Sequence, residues 1–123
     1  MPRLDYDETC VFCKIIADKI PSKKIYNDDT IAAFHDIAPV APVHVLVVPK
    51  VHIETLNDLS ADDAALVGKL IVVAKDLAKQ LGIAESGYRF GFNCGRDGGQ
   101  TVFHIHGHLI GGVSMGWPPF PKG

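Results

Sequence analysis

Three histidines stand at every second position of the segment HIHGHLIGG: His104, His106 and His108. Imidazole changes its charge near neutral pH and can act as a nucleophile, a proton carrier or a metal ligand. Alternate residues of a β-strand share one face, so the three rings are predicted to line one groove, roughly 7 Å apart, with Ile105 and Leu109 in the core. A polar outer face without chemistry is the alternative, and the glycine-rich loop beside the histidines argues against it.

That loop, GRDGGQT at residues 95–101, comes just before the last histidines. Its flexible backbone N–H groups and Arg96 can hold an anionic phosphate, although it lacks both the dinucleotide fingerprint and the Walker A spacing. Two further histidines, His44 and His52, lie in VHVLVVPKVHI. If the two histidine segments share a sheet, His44 converges with the others. Histidines beside backbone donors favour phosphoryl or nucleotidyl transfer.

The motif CVFC supplies a cysteine pair, Cys10 and Cys13, and Cys94 brings the count to three. The odd count, in a chain without a secretory signal, argues against a disulfide framework. Three interpretations of the pair stay open: half of a zinc site, a thioredoxin-like redox pair, or two small apolar core residues. The redox interpretation needs a core strand before the motif, and LDYDET is a poor strand.

Two helices are predicted from capping residues and apolar spacing. TCVFCKIIADKIPS is typical of a short helix that is capped by Thr9 and stopped by Pro21. A long helix is predicted between Ser60 and Gly82, because leucine and valine recur on one face and the two end residues suit an N-cap and a C-terminal stop.

Five strands are predicted from β-rich or alternating segments. They are two strands around the turn NDD in KKIYNDDTIAAFHDI, then VHVLVVP (43–49), YRFGFN (88–93) and TVFHIHGHLI (101–110). The strands cluster instead of alternating with helices. The predicted fold class is therefore α+β, with a mainly antiparallel five-stranded sheet, one long helix and one short helix.

Composition narrows the class of protein. The chain has 123 residues, 47% of them hydrophobic, and a formal net charge of -2. These values fit one packed domain and argue against a nucleic-acid partner. No secretory signal and no apolar run near ~20 residues is present, so we expect no membrane partner and a cytoplasmic location. Residues 1–8 are predicted as a flexible N-terminus, and residues 9–123 as a single domain with an extended C-terminal tail.

The histidine segment resembles the histidine triad (HIT) motif, His-φ-His-φ-His-φ-φ, in which φ is apolar. IPSKKIYNDD, AFHDIAPVAPVHVLVVPKVHI, DGGQTVFHIHGH and GWPP are also similar to the nucleotide-binding branch of the histidine triad family. The similarity spans residues 9–119, and the WPP tail favours this branch over the dinucleoside polyphosphate hydrolases. Gly107 departs from the motif. We expect it to loosen the strand and leave core space unfilled, so that Gly107→Leu would raise thermal stability.

The resemblance implies a symmetric homodimer that binds purine nucleoside monophosphates and hydrolyses the P–N bond of purine nucleoside 5′-phosphoramidates. It implies that His106 is the nucleophile and forms a covalent nucleotidyl-histidine intermediate. His44 would orient and tune His106, and His108 would donate to phosphate oxygens. Thr101 would help to protonate the leaving amine. No cofactor is required for this catalysis.

The resemblance also implies a nucleotide site. The base and ribose would contact Val11, Phe12, Ile15, Phe34, His35, Asp36 and Ile37, with Asp36 accepting from the ribose hydroxyls. The phosphate would be surrounded by Asn93, Gly99, Gln100, Thr101, Val102, His106 and His108. Trp117 would reach the site of the other protomer. From spacing alone, Phe12, Phe34 and Ile37 would be ordinary core residues.

Some members of the family bind structural zinc, and the resemblance completes the cysteine pair with two histidines. The implied Zn²⁺ ligands are Cys10, Cys13, His52 and His104, a set that suits tetrahedral zinc. Two other functions stay open beside the phosphoramidase. One is a nucleotide-binding regulatory or adaptor protein with little turnover, and the other is a dinucleoside polyphosphate hydrolase.

Overall fold

A computed structural model describes residues 5–119 of the chain. Two short 3-10 turns precede the long helix, and the other elements follow the predicted order. The helices are α1 (Val11–Ile16) and α2 (Ala64–Gln80). The strands are β1 (Lys24–Asn27), β2 (Ile31–His35), β3 (Val43–Pro49), β4 (Tyr88–Phe92) and β5 (Gly107–Gly111).

The five strands form one antiparallel sheet in the order β1-β2-β3-β5-β4. The predicted α+β class, with a five-stranded antiparallel sheet, one long helix and one short helix, is confirmed. Residues that pair across neighbouring strands share a face of the sheet. Phe34 of β2, Leu46 of β3 and His108 of β5 therefore form one row. This row lies on the face that α1 covers, because Phe34 and Leu46 pack with Phe12 of α1.

The long helix α2 covers the opposite face. Leu70, Val73 and Leu77 pack from α2 into a core that includes Val45 of β3 and Leu109 of β5. Burying a side chain of this size contributes roughly 1.5–3 kcal/mol. This core holds β3 and β5 rigidly side by side, and the two strands carry His44 and His108.

The ends of α2 lie close to the predicted positions. The N–H of Ser60 donates to Asp63 Oδ2 over 2.7 Å in the 3-10 turn that leads into α2. Gly82 follows the helix with φ +79°, a left-handed backbone conformation that glycine adopts without strain. The predicted C-terminal end is therefore correct, whereas Ser60 caps the 3-10 turn Ala61–Asp63 and α2 itself begins at Ala64, with Asp63 as its N-cap.

The cap of α1 differs from the prediction. Cys10 is the N-cap residue, and its Sγ accepts from the N–H of Cys13 over 3.2 Å. Thr9 is the wrong cap because Asp7 Oδ1 already accepts from both its N–H and its hydroxyl. The cysteine pair thus sits at the very start of the helix.

The last strand is shorter than predicted. The prediction of a strand over residues 101–110 is wrong for residues 101–106, since β5 begins at Gly107. The N–H of Ile105 donates instead to the carbonyl of Ile53, which lies beyond the end of β3. His104 and His106 therefore precede the strand, and the three histidine rings do not line one groove. Ile105 and Leu109 are buried, as predicted.

Gly107 leaves no empty space in the core, contrary to the expectation from the motif. A Cβ atom at this position would lie 2.1 Å from Cζ of Phe90. The Phe90 ring occupies the volume that an apolar side chain would fill, and it packs edge to face on Phe92. A larger residue at position 107 would have to displace this ring, so the expected gain in stability for Gly107→Leu is wrong.

Predictions for both ends of the chain fall partly outside the described residues. Residues 1–4 of the predicted flexible N-terminus and residues 120–123 of the predicted tail lie there. Within the described part, the side chain of Trp117 is 80% exposed. No helix among residues 5–119 is long and apolar enough to cross a membrane.

Candidate active site

Four buried side chains converge between the start of α1 and the histidine segment. Cys10, Cys13, His52 and His104 each offer one ligand atom, and these atoms all lie within 4.8 Å of one another. The sulfur–nitrogen distances are 3.3 Å for Cys10–His104, 3.4 Å for Cys13–His52 and 3.6 Å for Cys13–His104. The Nδ1 atoms of the two histidines are 3.2 Å apart. We call these residues the cysteine–histidine cluster.

Four of the six distances between ligand atoms in the cysteine–histidine cluster fit a tetrahedral zinc ion. Zinc bonds of about 2.3 Å to sulfur and about 2.05 Å to nitrogen give tetrahedron edges of about 3.6 Å between S and N and about 3.3 Å between two N atoms. The observed distances agree with these edges to within about 0.3 Å. Such a closed set of four protein ligands suits a structural ion, because a catalytic ion needs an open position.

Outer contacts aim the ligand atoms inward. The Nε2–H of His104 donates to the carbonyl of Pro49 over 2.7 Å, so its Nδ1 keeps a lone pair for the cluster. His52 Nε2 lies 3.8 Å from Asp7 Oδ2 on the outer side. Burial raises the pKa of the Cys13 thiol to about 12, whereas reactive CxxC thiols have lowered pKa values. The redox interpretation is therefore disfavoured.

A backbone contact orients the His106 ring and leaves its Nε2 atom with the lone pair. Its Nδ1–H donates to the carbonyl of His104 over 2.7 Å, which leaves the lone pair on Nε2. The ring also packs edge-on against Phe12, with 4.9 Å between centroids. Burial lowers the pKa of His106 below its ordinary value, so the imidazole is neutral near pH 7. A neutral, oriented imidazole of this kind can act as a nucleophile.

His44 contacts His108 in this structure. The N–H of Val40 donates to His44 Nδ1 over 3.1 Å, and His44 Nε2 lies 2.9 Å from His108 Nδ1. The Nε2 atom of His108 is buried and has no hydrogen-bond partner among the described residues. Burial, followed by the neighbouring rings of His106 and His44, lowers the pKa of His108 to about 4. The orientation of His106, which the resemblance assigns to His44, comes here from the carbonyl of His104.

A cavity of about 320 Å³ opens beside these histidines. Eleven of the residues implied for nucleotide binding or catalysis line it: Val11, Phe12, Ile15, Phe34, His35, Asp36, Ile37, Thr101, Val102, His106 and His108. Phe12 and Phe34 form an edge-to-face pair at its apolar end, with 5.4 Å between centroids. Apolar walls with a few convergent polar groups are typical of a small-ligand site.

Four of the implied nucleotide residues do not line the cavity in this structure: Asn93, Gly99, Gln100 and Trp117. The side chain of Gln100 is engaged within the chain, since its Nε2 donates to the carbonyls of Glu54 and Val102. Its Oε1 accepts from the N–H of Gly95 over 3.0 Å. Gln100 thus shapes the glycine-rich loop from within.

Other residues of the site were not predicted from the sequence. Ile20, Pro21, Ser22 and Leu46 also line the cavity. For Leu46 a signal was present, because alternation in β3 places it on the same face as His44 and Val48. The backbone groups of Val40 and Pro49 gave no signal, since every residue supplies a carbonyl and every residue except proline supplies an N–H.

Comparisons with known proteins agree with this geometry. A family model described as the HIT domain matches residues 17–115. The chain is 50% identical over 109 residues to the purine nucleoside phosphoramidase of Escherichia coli strain K12. The aligned residues make up 89% of this chain and 92% of that relative. A solved HIT family hydrolase from Legionella pneumophila superimposes with a TM-score of 0.88, at 49% identity over 90% of this chain and 99% of that chain.

A more distant solved relative is the histidine triad nucleotide-binding protein from Candida albicans. It superimposes with a TM-score of 0.76, at 35% identity over 93% of this chain and 86% of that chain. An antiparallel sheet with histidines beside an apolar cavity is the arrangement of a class of small α+β proteins, and this class includes hydrolases. Within that class, the chain belongs to the HIT domain family.

Proposed function

We propose that this protein hydrolyses purine nucleoside 5′-phosphoramidates through a covalent intermediate on His106. The observation that carries the proposal is that the rings of His106 and His108 both line the cavity, 4.8 Å apart between ring centroids. His106 offers a lone pair on Nε2, because its Nδ1–H donates to a carbonyl. His108 would offer an N–H on Nε2 when its Nδ1 accepts from His44. A phosphorus centre at the cavity wall would meet a nucleophile and a donor at once.

The proposed reaction has two displacements at phosphorus. In the first, Nε2 of His106 forms a bond to phosphorus and the P–N bond breaks, while the departing nitrogen takes a proton from solvent water and leaves as the neutral amine; the water that attacks in the second displacement gives this proton back to solvent. The hydroxyl of Thr101 lines the cavity and would supply a hydrogen bond to that nitrogen. In the second, water attacks the nucleotidyl-histidine, releases the nucleoside monophosphate and restores His106. The N–H of His108 stabilises the phosphate oxygen in both steps.

The apolar end of the cavity supports a purine base as the ligand. The rings of Phe12 and Phe34, which meet edge to face, offer an apolar corner against which a base can pack. Asp36 stands at the cavity with one oxygen, Oδ1, accepting from the N–H of Ala38. Its second oxygen, Oδ2, lies 3.4 Å from His44 Nε2 and would use a further lone pair to accept from a ribose hydroxyl. We therefore expect adenosine and guanosine derivatives to bind more tightly than the free base or the bare phosphate.

The proposal is tested with adenosine 5′-phosphoramidate as substrate, comparing wild type with His106→Ala. We expect AMP release by wild type and a loss of at least about 1,000-fold in kcat/KM for the variant, the scale seen when a nucleophile is removed. Calorimetric titration with AMP, together with the thermal unfolding curve, shows whether the variant is folded. If wild type binds AMP and releases none from the substrate, the enzyme proposal is wrong and a nucleotide-binding adaptor takes its place.

A second experiment addresses the intermediate. Wild-type protein is mixed with substrate, quenched in alkali and digested, and the peptide that contains His106 is weighed by mass spectrometry. We expect a nucleotidyl adduct on this peptide, because an N-linked phosphoryl group survives alkaline conditions. Direct hydrolysis by water would leave the peptide unmodified at every quench time.

We also propose that the cysteine–histidine cluster holds a structural zinc ion. The tetrahedral distances and the outward hydrogen bonds of His104 support this assignment. The ion would tie the start of α1, which lines the cavity through Val11 and Phe12, to the segment that carries His106. It would act by holding these elements together and would take no part in the phosphorus chemistry.

The homodimer and the cytoplasmic location stay predictions. Two apolar residues of α2, Ile71 and Val72, are 53% and 52% exposed, and β4 is an edge strand of the sheet. A second copy of the chain would cover both, which supports the homodimer. Sedimentation of wild type beside Ile71→Glu tests it, since the charge would shift a dimer toward monomer.

A further inference from the structure

The segment between β2 and β3 carries a backbone group that faces the histidines. The side chain of Val40 is 73% exposed, yet its N–H donates inward to His44 Nδ1 over 3.1 Å. Asp36 Oδ1 accepts from the N–H of Ala38 over 2.8 Å and braces the same segment. Pro39 and Pro42 restrict its backbone on either side. These contacts and the two prolines therefore keep the Val40 N–H directed toward His44.

This amide decides where His44 carries its proton. An imidazole nitrogen that accepts a hydrogen bond must present a lone pair, so Nδ1 of His44 is unprotonated. The ring proton therefore lies on Nε2. Asp36 Oδ2, 3.4 Å from Nε2, attracts the proton to the same atom. Nε2 of His44 then donates to Nδ1 of His108 over 2.9 Å.

The position of the proton on His44 also determines which nitrogen of His108 is protonated. Because its Nδ1 accepts from His44, its single proton lies on Nε2, the buried atom without a partner among the described residues. A donor is thereby aimed where a phosphate oxygen is needed. If His44 carried its proton on Nδ1 instead, the hydrogen bond between the two rings would reverse, with Nδ1 of His108 donating to Nε2 of His44. His108 would then present a lone pair to the oxygen, and the contact would be repulsive.

We propose that the backbone amide of Val40 is a positioning group: through His44 it makes Nε2 of His108 a hydrogen-bond donor toward the phosphate. The direction of the chain is Val40 N–H to His44, His44 to His108, and His108 to the ligand oxygen. The last step rests on the proposed function, while the first two are properties of the protein without ligand.

The two-ring chain also explains an apparent second metal site. Asp36, His44 and His108 each place one ligand atom within 4.8 Å of the others. A metal ion would need a lone pair on Nε2 of His44, which is the atom that the Val40 amide forces to carry the proton. The amide therefore keeps this set as a hydrogen-bond chain and makes it a poor metal site.

The test uses full-length protein and two matched variants. Val40→Pro removes the N–H, whereas Val40→Ala keeps it and removes most of the side chain. Nitrogen-15 spectra of the imidazole rings, recorded without substrate, show which nitrogen of His44 and of His108 is protonated. We expect Nε2–H on both rings in wild type and in Val40→Ala, and a mixture with Nδ1–H in Val40→Pro. In the same variants, kcat is expected to fall about tenfold only for Val40→Pro, with KM changed less.

The outcomes separate the two proposals. Nδ1–H on His108 in wild type overturns the positioning role, whatever the variants do, so a proline variant that does not fold leaves the test intact. Unchanged tautomers in folded Val40→Pro overturn it as well. If wild type shows the expected tautomers but releases no AMP, the proposed function fails and the assignment of the protons stands.

Discussion

The two histidine groups of this protein are built from the same side chain but are oriented by different backbone groups. In the cysteine–histidine cluster, a backbone carbonyl, that of Pro49, accepts from Nε2 of His104 and leaves Nδ1 as a lone pair for a metal. In the second group, a backbone amide, that of Val40, donates to Nδ1 of His44 and leaves the proton on Nε2. One group is thereby set to bind a cation and the other to donate to an anion.

The comparison shows that a neighbouring backbone group, rather than residue type, assigns the role of each histidine. His104 and His106 are two residues apart. The Nδ1 lone pair of His104 faces the sulfur atoms of Cys10 and Cys13, whereas the Nε2 lone pair of His106 is available to the cavity. The carbonyl of His104 joins the two groups, because it accepts from Nδ1 of His106. A disturbance of the cluster is therefore expected to reach His106 through a single residue, His104.

The largest expected effect comes from breaking the cysteine–histidine cluster with Cys13→Ser. We expect loss of about one zinc per chain and about 3–4 kcal/mol of stability, the value for a ligand present at roughly 100–1,000 times its dissociation constant. Elemental analysis and thermal unfolding measure the two quantities. Cys94→Ser is the matched control, since Cys94 lies outside the cluster and should keep the metal. A metal-free wild type of full stability would contradict the structural role.

A substitution at Gly107 tests the packing of β5, the strand that begins at this residue. Gly107→Leu is expected to lower stability by about 2 kcal/mol, because Phe90 already fills the space and overpacking forces strain. Denaturant unfolding measures this value. Pairing the change with Phe90→Ala makes room for the new side chain and should recover part of the loss. A single variant as stable as wild type would show that the ring moves aside without strain.

The difference between the groups can also be reversed. Val40→Pro is expected to let Nε2 of His44 present a lone pair, which completes a ligand set with Asp36 and His108. Added Zn²⁺ should then inhibit AMP formation at about tenfold lower concentration than in wild type, equivalent to about 1.4 kcal/mol of binding. Val40→Ala provides the control. Equal zinc sensitivity in all three proteins would mean that the amide does not keep the metal out.

Lowering the pH is expected to give the smallest loss of folding stability. The pKa of His108 is lowered from 6.5 to about 4 by burial and neighbouring rings, so the unfolded chain binds this proton more readily than the folded one. Stability should therefore fall as pH drops from about 6.5 to about 4, by about 1–2 kcal/mol after allowance for partial exposure of the ring. Urea unfolding at several pH values measures the slope, and His108→Asn should reduce it, while His104 and His106, whose pKa values are also lowered by burial, keep the remainder. An identical slope in that variant would place the proton elsewhere.

Local patterns predicted much of the fold. The alternation of Tyr88, Phe90 and Phe92 identified β4, and the apolar repeat between Ser60 and Gly82 identified α2. The same alternation failed over residues 101–106, because the N–H of Ile105 pairs with Ile53 instead of with a neighbouring strand. Gly107 was misjudged for a similar reason, since the ring that fills its space comes from another strand.

The sequence by itself determined the α+β sheet, the family and the residue types that gather at the site, because periodicity and motif spacing are local and survive in one dimension. Only the tertiary structure decided which ring nitrogen of each histidine carries the proton. That choice depends on backbone groups brought close by folding, as when Pro49 meets His104 across 55 positions of the chain. Every residue except proline has the same N–H, and every residue has the same carbonyl, so no side-chain pattern records these contacts.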